Sequence, residues 1–245
     1  MERYVSLPED KRKGQGVFVQ SDDRKIDEFK SLKARADGAL GNKMGSSDTA
    51  SLACSTWIDV RAFGQLFAFA GAKKGKKGDD SEGDTGVSSP IRGPVTIQSA
   101  FSLTPVDITS VQITKSVSGE GDGSKRSSDT MGMKHRVDHA VYVTYGSMNP
   151  QLAERTGFSE EDAEVIKQIL PRLFENDASS ARPEGSMEVL KVVWWKHGCK
   201  AGQYSSAKVH RSLGELLLRS ADGRFDEPEL LGKLAGLEPE IMKGF

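Results

Sequence analysis

Residues 129–162 read DTMGMKHRVDHAVYVTYGSMNPQLAERTGFSEED, and their pattern decides the fold. A Gly-marked turn comes first, carrying Lys134, His135 and Arg136. Val137, His139, Val141, Val143 and Tyr145 then fall on one side of an extended run, with Tyr142 and Thr144 opposite. β-Branched and aromatic residues at a period of two read as a strand. Asn149 and Pro150 break it, and Ser159 opens a helix with Glu160, Glu161 and Asp162 in its first turn. The serine hydroxyl accepts a backbone N–H there, and the acids suit the positive helix end. A basic hairpin therefore feeds a strand, and the strand feeds a helix.

Working outward, Ile108–Ser116 reads as a second strand, set off by Pro105. Between the two lies SVSGEGDGSKRSSD, residues 116–129, with little that could be buried. Two strands with a mobile tip between them describe a protruding hairpin over about 109–137. Arg92 to Phe101 alternates as a further strand with an irregular start at Gly93-Pro94. Trp57, Ile58, Val60, Phe63, Phe67 and Phe69 suggest a buried helix over 55–70. After it, GAKKGKKGDDSEGDTGVSSP has almost nothing with which to build a core, so a flexible insertion is expected at about 71–90. Ile26, Phe29 and Leu32 predict a helix over 22–39, and Gly16–Gln20 a short strand or extended segment. Residues 1–15 read as a leader or the remnant of a helix.

Downstream, the helix from Ser159 shows Val165, Ile166, Ile169, Leu170, Leu173 and Phe174 on one face, with Pro171 expected to kink it. MEVLKVVWW, residues 187–195, is the most apolar strand and is expected at a sheet centre. An amphipathic helix and a short helical tail fill about 205–245. The whole chain, 1–245, reads as a single domain.

Among the 245 residues, 34 Lys and Arg face 35 Asp and Glu, a net charge of −1. Any nucleic-acid surface must then be a local basic patch. No apolar run reaches membrane-spanning length. The two cysteines, Cys54 and Cys199, lack metal or disulfide spacing and fit buried free thiols in a reducing cytoplasm. His135 and His139 have HxxxH spacing, but on a strand they sit about four rises of 3.3 Å apart, so no metal is assigned. Trp194 and Trp195 are expected to split between core and surface as the strand alternates. No paired acids, nucleophile elbow or phosphate-binding glycine loop is present, so no cofactor is expected.

Met131-Gly132-Met133-Lys134-His135, AVYVTYG at 140–146, and the run from LAERTGFSEED through ARPEG resemble the backbone subunit of type I CRISPR surveillance complexes (Cascade), subtype I-C. That subunit belongs to family seven of the CRISPR-associated proteins, in the repeat-associated RNA-binding superfamily. The similarity extends upstream through Asp59-Val60-Arg61-Ala62-Phe63-Gly64 and Ile91-Arg92-Gly93-Pro94-Val95, covering roughly residues 16–198. It implies an α+β fold, a ferredoxin-like RNA-recognition-module core with helical insertions, whose hairpin is the "thumb" projecting from an RNA-binding palm. In the family an N-terminal strand, a Gly- and Asn-rich loop and a basic helix precede the point where this chain starts, so the core is expected to lack its first strand.

The resemblance further implies a non-catalytic cytoplasmic scaffold. Several copies would stack head to tail along a CRISPR RNA, each thumb displacing a base, while the exposed bases pair with a target DNA strand. Handle-processing and large Cascade subunits would be further partners, and a separately recruited helicase-nuclease would cut. Two rivals remain: a type III-like subunit cleaving target RNA, and a ferredoxin-like protein-interaction module. For RNA contact, Met131, Gly132, Met133, Lys134 and His135 come first, the two methionines wedging bases and Lys134 and His135 meeting phosphates; the other possibility is a merely basic hairpin. Arg61 and Arg92 sit in apolar or Gly-marked stretches, where an anion or an internal salt bridge, for Arg61 with Asp59, would each satisfy the guanidinium. Lys115, Lys125 and Arg126 are secondary phosphate candidates, or solvated loop cations.

Overall fold

Apolar runs in this chain are short and punctuated by Gly, Pro and Ser, and they build short elements. The computed structural model describes residues 2–68, 88–115 and 131–245. In chain order come α1 (Glu2–Ser6), α2 (Leu32–Leu40), α3 (Thr49–Thr56), α4 (Ile58–Phe63), β1 (Gly64–Ala68), β2 (Ser88–Arg92), β3 (Val95–Ile97), β4 (Phe101–Ser102) and β5 (Ile108–Thr114). Then follow β6 (Met131–Val137), β7 (Tyr142–Val143), β8 (Gly146–Met148), α5 (Pro150–Thr156) and α6 (Glu160–Ile169). The last are β9 (Lys191–Trp194), α7 (Ser206–Leu217), α8 (Glu227–Gly232) and β10 (Glu240–Lys243). The fold is α+β, as expected. Its described strands pair antiparallel in twos: β1 with β2, β3 with β8, β4 with β7, β5 with β6, and β9 with β10. Among the described residues no helix is long and apolar enough to cross a membrane.

Two compact units form, one from Met1–Ile97, Gly146–Gln203 and Pro239–Phe245, the other from Gln98–Tyr145 and Tyr204–Glu238. In the first, Phe18, Trp57 and Phe67 are buried together, with ring centroids 4.7 to 6.2 Å apart. Tilted aromatic contacts at such spacing add to the burial of large side chains. The helix expected over 55–70 is cut twice. Trp57 is extended between α3 and α4, and Gly64 takes φ +85°, turning the chain from α4 into β1.

That turn explains two of the glycine motifs. A Cβ on Gly64 would lie 2.3 Å from the carbonyl oxygen of Ile91, and one on Gly93 would lie 2.2 Å from that of Ala62. Asp59–Gly64 and Ile91–Val95 are therefore each other's partners, their backbones too close for any side chain between them. Asp59 also accepts the N–H groups of Phe18 (2.9 Å) and Val19 (2.9 Å), fastening the segment expected as a strand. That segment makes one parallel bridge, Gly16 to Trp57, and joins no described sheet.

Other expectations shift with identifiable causes. The helix expected over 22–39 begins only at Leu32, where the Ser31 hydroxyl caps Ala34 N–H; upstream, Asp27 is held by Arg35 instead. The helix from Ser159 forms with a full capping box, Ser159 and Asp162 bonding each other's backbone N–H. It ends at Ile169, and Pro171 sits in the following 3₁₀ turn rather than kinking a helix. The strand expected at a sheet centre is β9, whose one described neighbour is β10. The C-terminal tail thus contains a strand as well as a helix, because β9 supplies backbone partners that the four residues EIMK do not reveal alone. Trp194 and Trp195 are both half-buried.

In the second unit, Ser205 and Asp226 cap α7 and α8. Val209, Leu213, Leu216 and Leu217 of α7 and Leu230, Leu234 and Leu237 are buried there. Tyr145 stacks on His210 at 4.7 Å. The remainder of this unit is the long ribbon that carries the candidate site.

Candidate nucleic-acid interface

β5 and β6 pair over seven residues each, from Ile108 opposite Val137 to Thr114 opposite Met131. Residues 131–135, expected in a turn, are therefore strand; Gly132 lies opposite Ile113, where an added Cβ would meet only ordinary contact. The expected continuous strand over 137–145 is interrupted. Leu103 N–H bonds Val141 O at 2.9 Å, and the next rung is Ile108 with Val137. Between them the four residues 104–107 face the three residues 138–140, a one-residue excess beside Pro105, which has no N–H to give. Such a bulge breaks the ladder and sharpens the twist. His139 falls in this break, outside the strand bearing His135.

No residue of β6 is buried, and in β5 only Thr109 is even half-buried. Cross-strand partners share a face. One face thus carries Ile108, Ser110, Gln112, Thr114, Met131, Met133, His135 and Val137, and the other Thr109, Val111, Ile113, Lys134 and Arg136. The first has no permanent charge; Met131 is 65 % and Met133 56 % exposed. His135 Nδ1 lies 2.8 Å from Ser110 Oγ across the strands. On the second face Arg136 Nε donates to Asp138 at 2.7 Å, and Thr109 Oγ1 to the same carboxylate at 2.8 Å. The Thr109 hydroxyl, then Arg136, holds the Asp138 carboxyl below the usual range. Lys134 makes no ion pair or hydrogen bond with another described side chain.

The remaining candidates separate. Lys115 is exposed one residue beyond β5, while Lys125 and Arg126 lie outside the described residues, as do the tip at 116–130 and residues 71–87 of the insertion expected at about 71–90, whose last three residues belong to β2 instead. Arg92 ends β2 opposite Gly64, exposed and without an ion pair among the described residues. Arg61 is 7 % exposed and has an internal partner, Asp162 in place of the expected Asp59. Its Nε and Nη2 meet the two carboxylate oxygens at 2.8 and 2.6 Å, and Nη1 reaches the carbonyls of Gly14 (2.5 Å) and Cys54 (3.3 Å). Burial alone would push the Asp162 carboxyl up; the Arg61 donors and the Ser159 N–H outweigh it and hold the carboxyl below the usual range. The sequence offered one signal for this pairing, an acid at the third position of a capping box. Arg136 and Asp138, and the exposed Val111 and Ile113, were not among the candidates read from sequence.

Fold and site define a class: an α+β protein bearing a two-stranded arm open on both faces, cationic on one and uncharged on the other. The family model described as CRISPR-associated protein Cas7 matches residues 3–227, and the chain belongs to that family. It is thus a CRISPR-associated backbone protein, a family whose partners in general are CRISPR RNA and Cascade subunits. Among curated proteins none matches the chain.

Proposed function

We propose that this protein is a non-catalytic, cytoplasmic RNA-binding backbone subunit of a type I-C Cascade surveillance complex. The observation that carries the reading is the β5–β6 arm. A two-stranded ribbon with no cover on either face is marginal by itself in water. Its exposed Met131, Met133, Ile108, Val111 and Ile113 mark a surface that gains by being covered, and Lys134 adds an exposed cation, without a partner among the described residues, suited to phosphate. In this reading the arm folds over a CRISPR RNA, copies stack head to tail along it, and the bases between arms pair with target DNA. Lys115, Arg92 and the cations at Lys125 and Arg126 supply further phosphate contacts. Handle-processing and large subunits complete the assembly, and sequence recognition is left to base pairing.

Filter binding of a single-stranded RNA over a salt series tests this. Each phosphate neutralised contributes about −0.7 to the slope of log K against log salt for single strands. Lys134→Glu is expected to weaken binding and flatten that slope. Binding that ignores both ionic strength and this substitution would favour the protein-interaction module instead. Regularly spaced Mg²⁺-dependent cuts in a complementary RNA would favour the nuclease reading.

A further inference from the structure

Resting on the RNA-arm reading, we infer that His135 contacts a nucleobase and not a phosphate, and that Ser110 is its positioning residue. Sequence adjacency groups His135 with Lys134, but strand register separates them. Successive residues of a strand face opposite sides, so Lys134 points with Arg136, Val111 and Ile113, whereas His135 stands with Met131, Met133, Ile108 and Val137. Among the described residues of that face His135 is the one ionisable group, and no lysine or arginine accompanies it to attract phosphate. Among the described residues, β5 is the sole strand paired with β6.

The ring is also oriented. Its Nδ1 is 2.8 Å from Ser110 Oγ directly across the ladder, which orients the imidazole and leaves Nε2 as the ring nitrogen without a partner among the described residues. The serine hydroxyl can donate or accept, so the neutral ring can present Nε2 as acceptor or as N–H donor. A flat ring with one free polar atom, set between the exposed Met133 and Val137 on one face of the strand, suits a base displaced from its stack. The two faces therefore divide the RNA, backbone to the Lys134 face and base to the His135 face.

The test compares His135→Ala, Ser110→Ala and Lys134→Ala in the full chain, with a single-stranded RNA containing 2-aminopurine at successive positions, at pH 8. His135→Ala is expected to lower affinity about ten-fold with an unchanged salt slope and to abolish the 2-aminopurine signal on binding. His135→Phe should restore part of that signal, and Ser110→Ala should reduce it with smaller loss of affinity. Lys134→Ala should instead flatten the slope by about 0.7 and keep the signal. All these side chains are exposed, so melting should be unchanged. A flattened slope for His135→Ala, or a 2-aminopurine signal that survives this substitution, would make His135 a phosphate contact and overturn the inference. So would unchanged RNA affinity, including the case where self-association alone weakens, since the face would then dock protein. If Lys134→Ala also binds RNA as the parent does, it is the RNA-arm reading itself that fails.

Discussion

Replacing Arg61 with methionine distinguishes the two roles that its sequence context allowed. The guanidinium satisfies both oxygens of Asp162, whose side chain is 4 % exposed, and the same carboxylate holds the first turn of α6 through Ser159. Methionine fills similar space and removes every donor, leaving a buried carboxylate with only the Ser159 N–H. Breaking one partner of such a pair costs about 3–5 kcal/mol. At about 2–4 °C per kcal/mol for a chain of this size, melting should fall by about 6–20 °C. The double variant Arg61→Met/Asp162→Leu should recover much of the loss, because no charge is then stranded. Calorimetry or far-UV melting reads the stability, and RNA binding over a salt series reads the alternative. A melting point within about 2 °C of the parent, together with a salt slope flattened by about 0.7, would refute the structural role and make Arg61 a phosphate contact.

The same pair sets an acid limb. Arg35 holds the Asp27 carboxyl below the usual range, as Arg61 and Ser159 hold Asp162. Depressed folded-state values mean stabilisation that is complete above the unfolded value of about 3.9 and is lost as pH falls through the folded values. Chemical denaturation should therefore show parental stability falling below about pH 4, and the gap between parent and Arg61→Met narrowing there; a constant gap would contradict the assignment. Gly93→Ala should destabilise by about 2–3 kcal/mol, since its Cβ would press on the Ala62 carbonyl; an unchanged urea midpoint would show that the two glycine motifs can move apart. Lys134→Glu should weaken RNA binding with no loss of stability, as filter binding and melting together would show, because Lys134 is exposed and has no described partner to lose.

The arm was legible in the sequence and its surface chemistry was not. The strand read over Ile108–Ser116, the Gly- and Ser-rich stretch at 116–129 and the strand after it announced a protruding hairpin, and β5 and β6 form it. Register was hidden, because a shift of one residue exchanges the faces. Adjacent Lys134 and His135 read as one basic patch until Ser110 was found opposite His135. The break at 138–140 was hidden too, since the residues around it keep the period of two and the excess lies on the other strand at 104–107.

By itself the sequence determined what local chemistry dictates: the α+β class, the capped helix from Ser159, the amphipathic helix that became α7, and the exposed basic hairpin. These follow from periodicity, caps and turn residues, each readable within a few positions. Only the tertiary structure decided which groups meet. Arg61 finds Asp162 across 101 residues of chain, Gly64 and Gly93 abut backbone to backbone, and β10 is a strand because β9 lies beside it. A guanidinium's need for a carboxylate is written in its chemistry. Which carboxylate answers depends on where the folded chain brings one within hydrogen-bond reach.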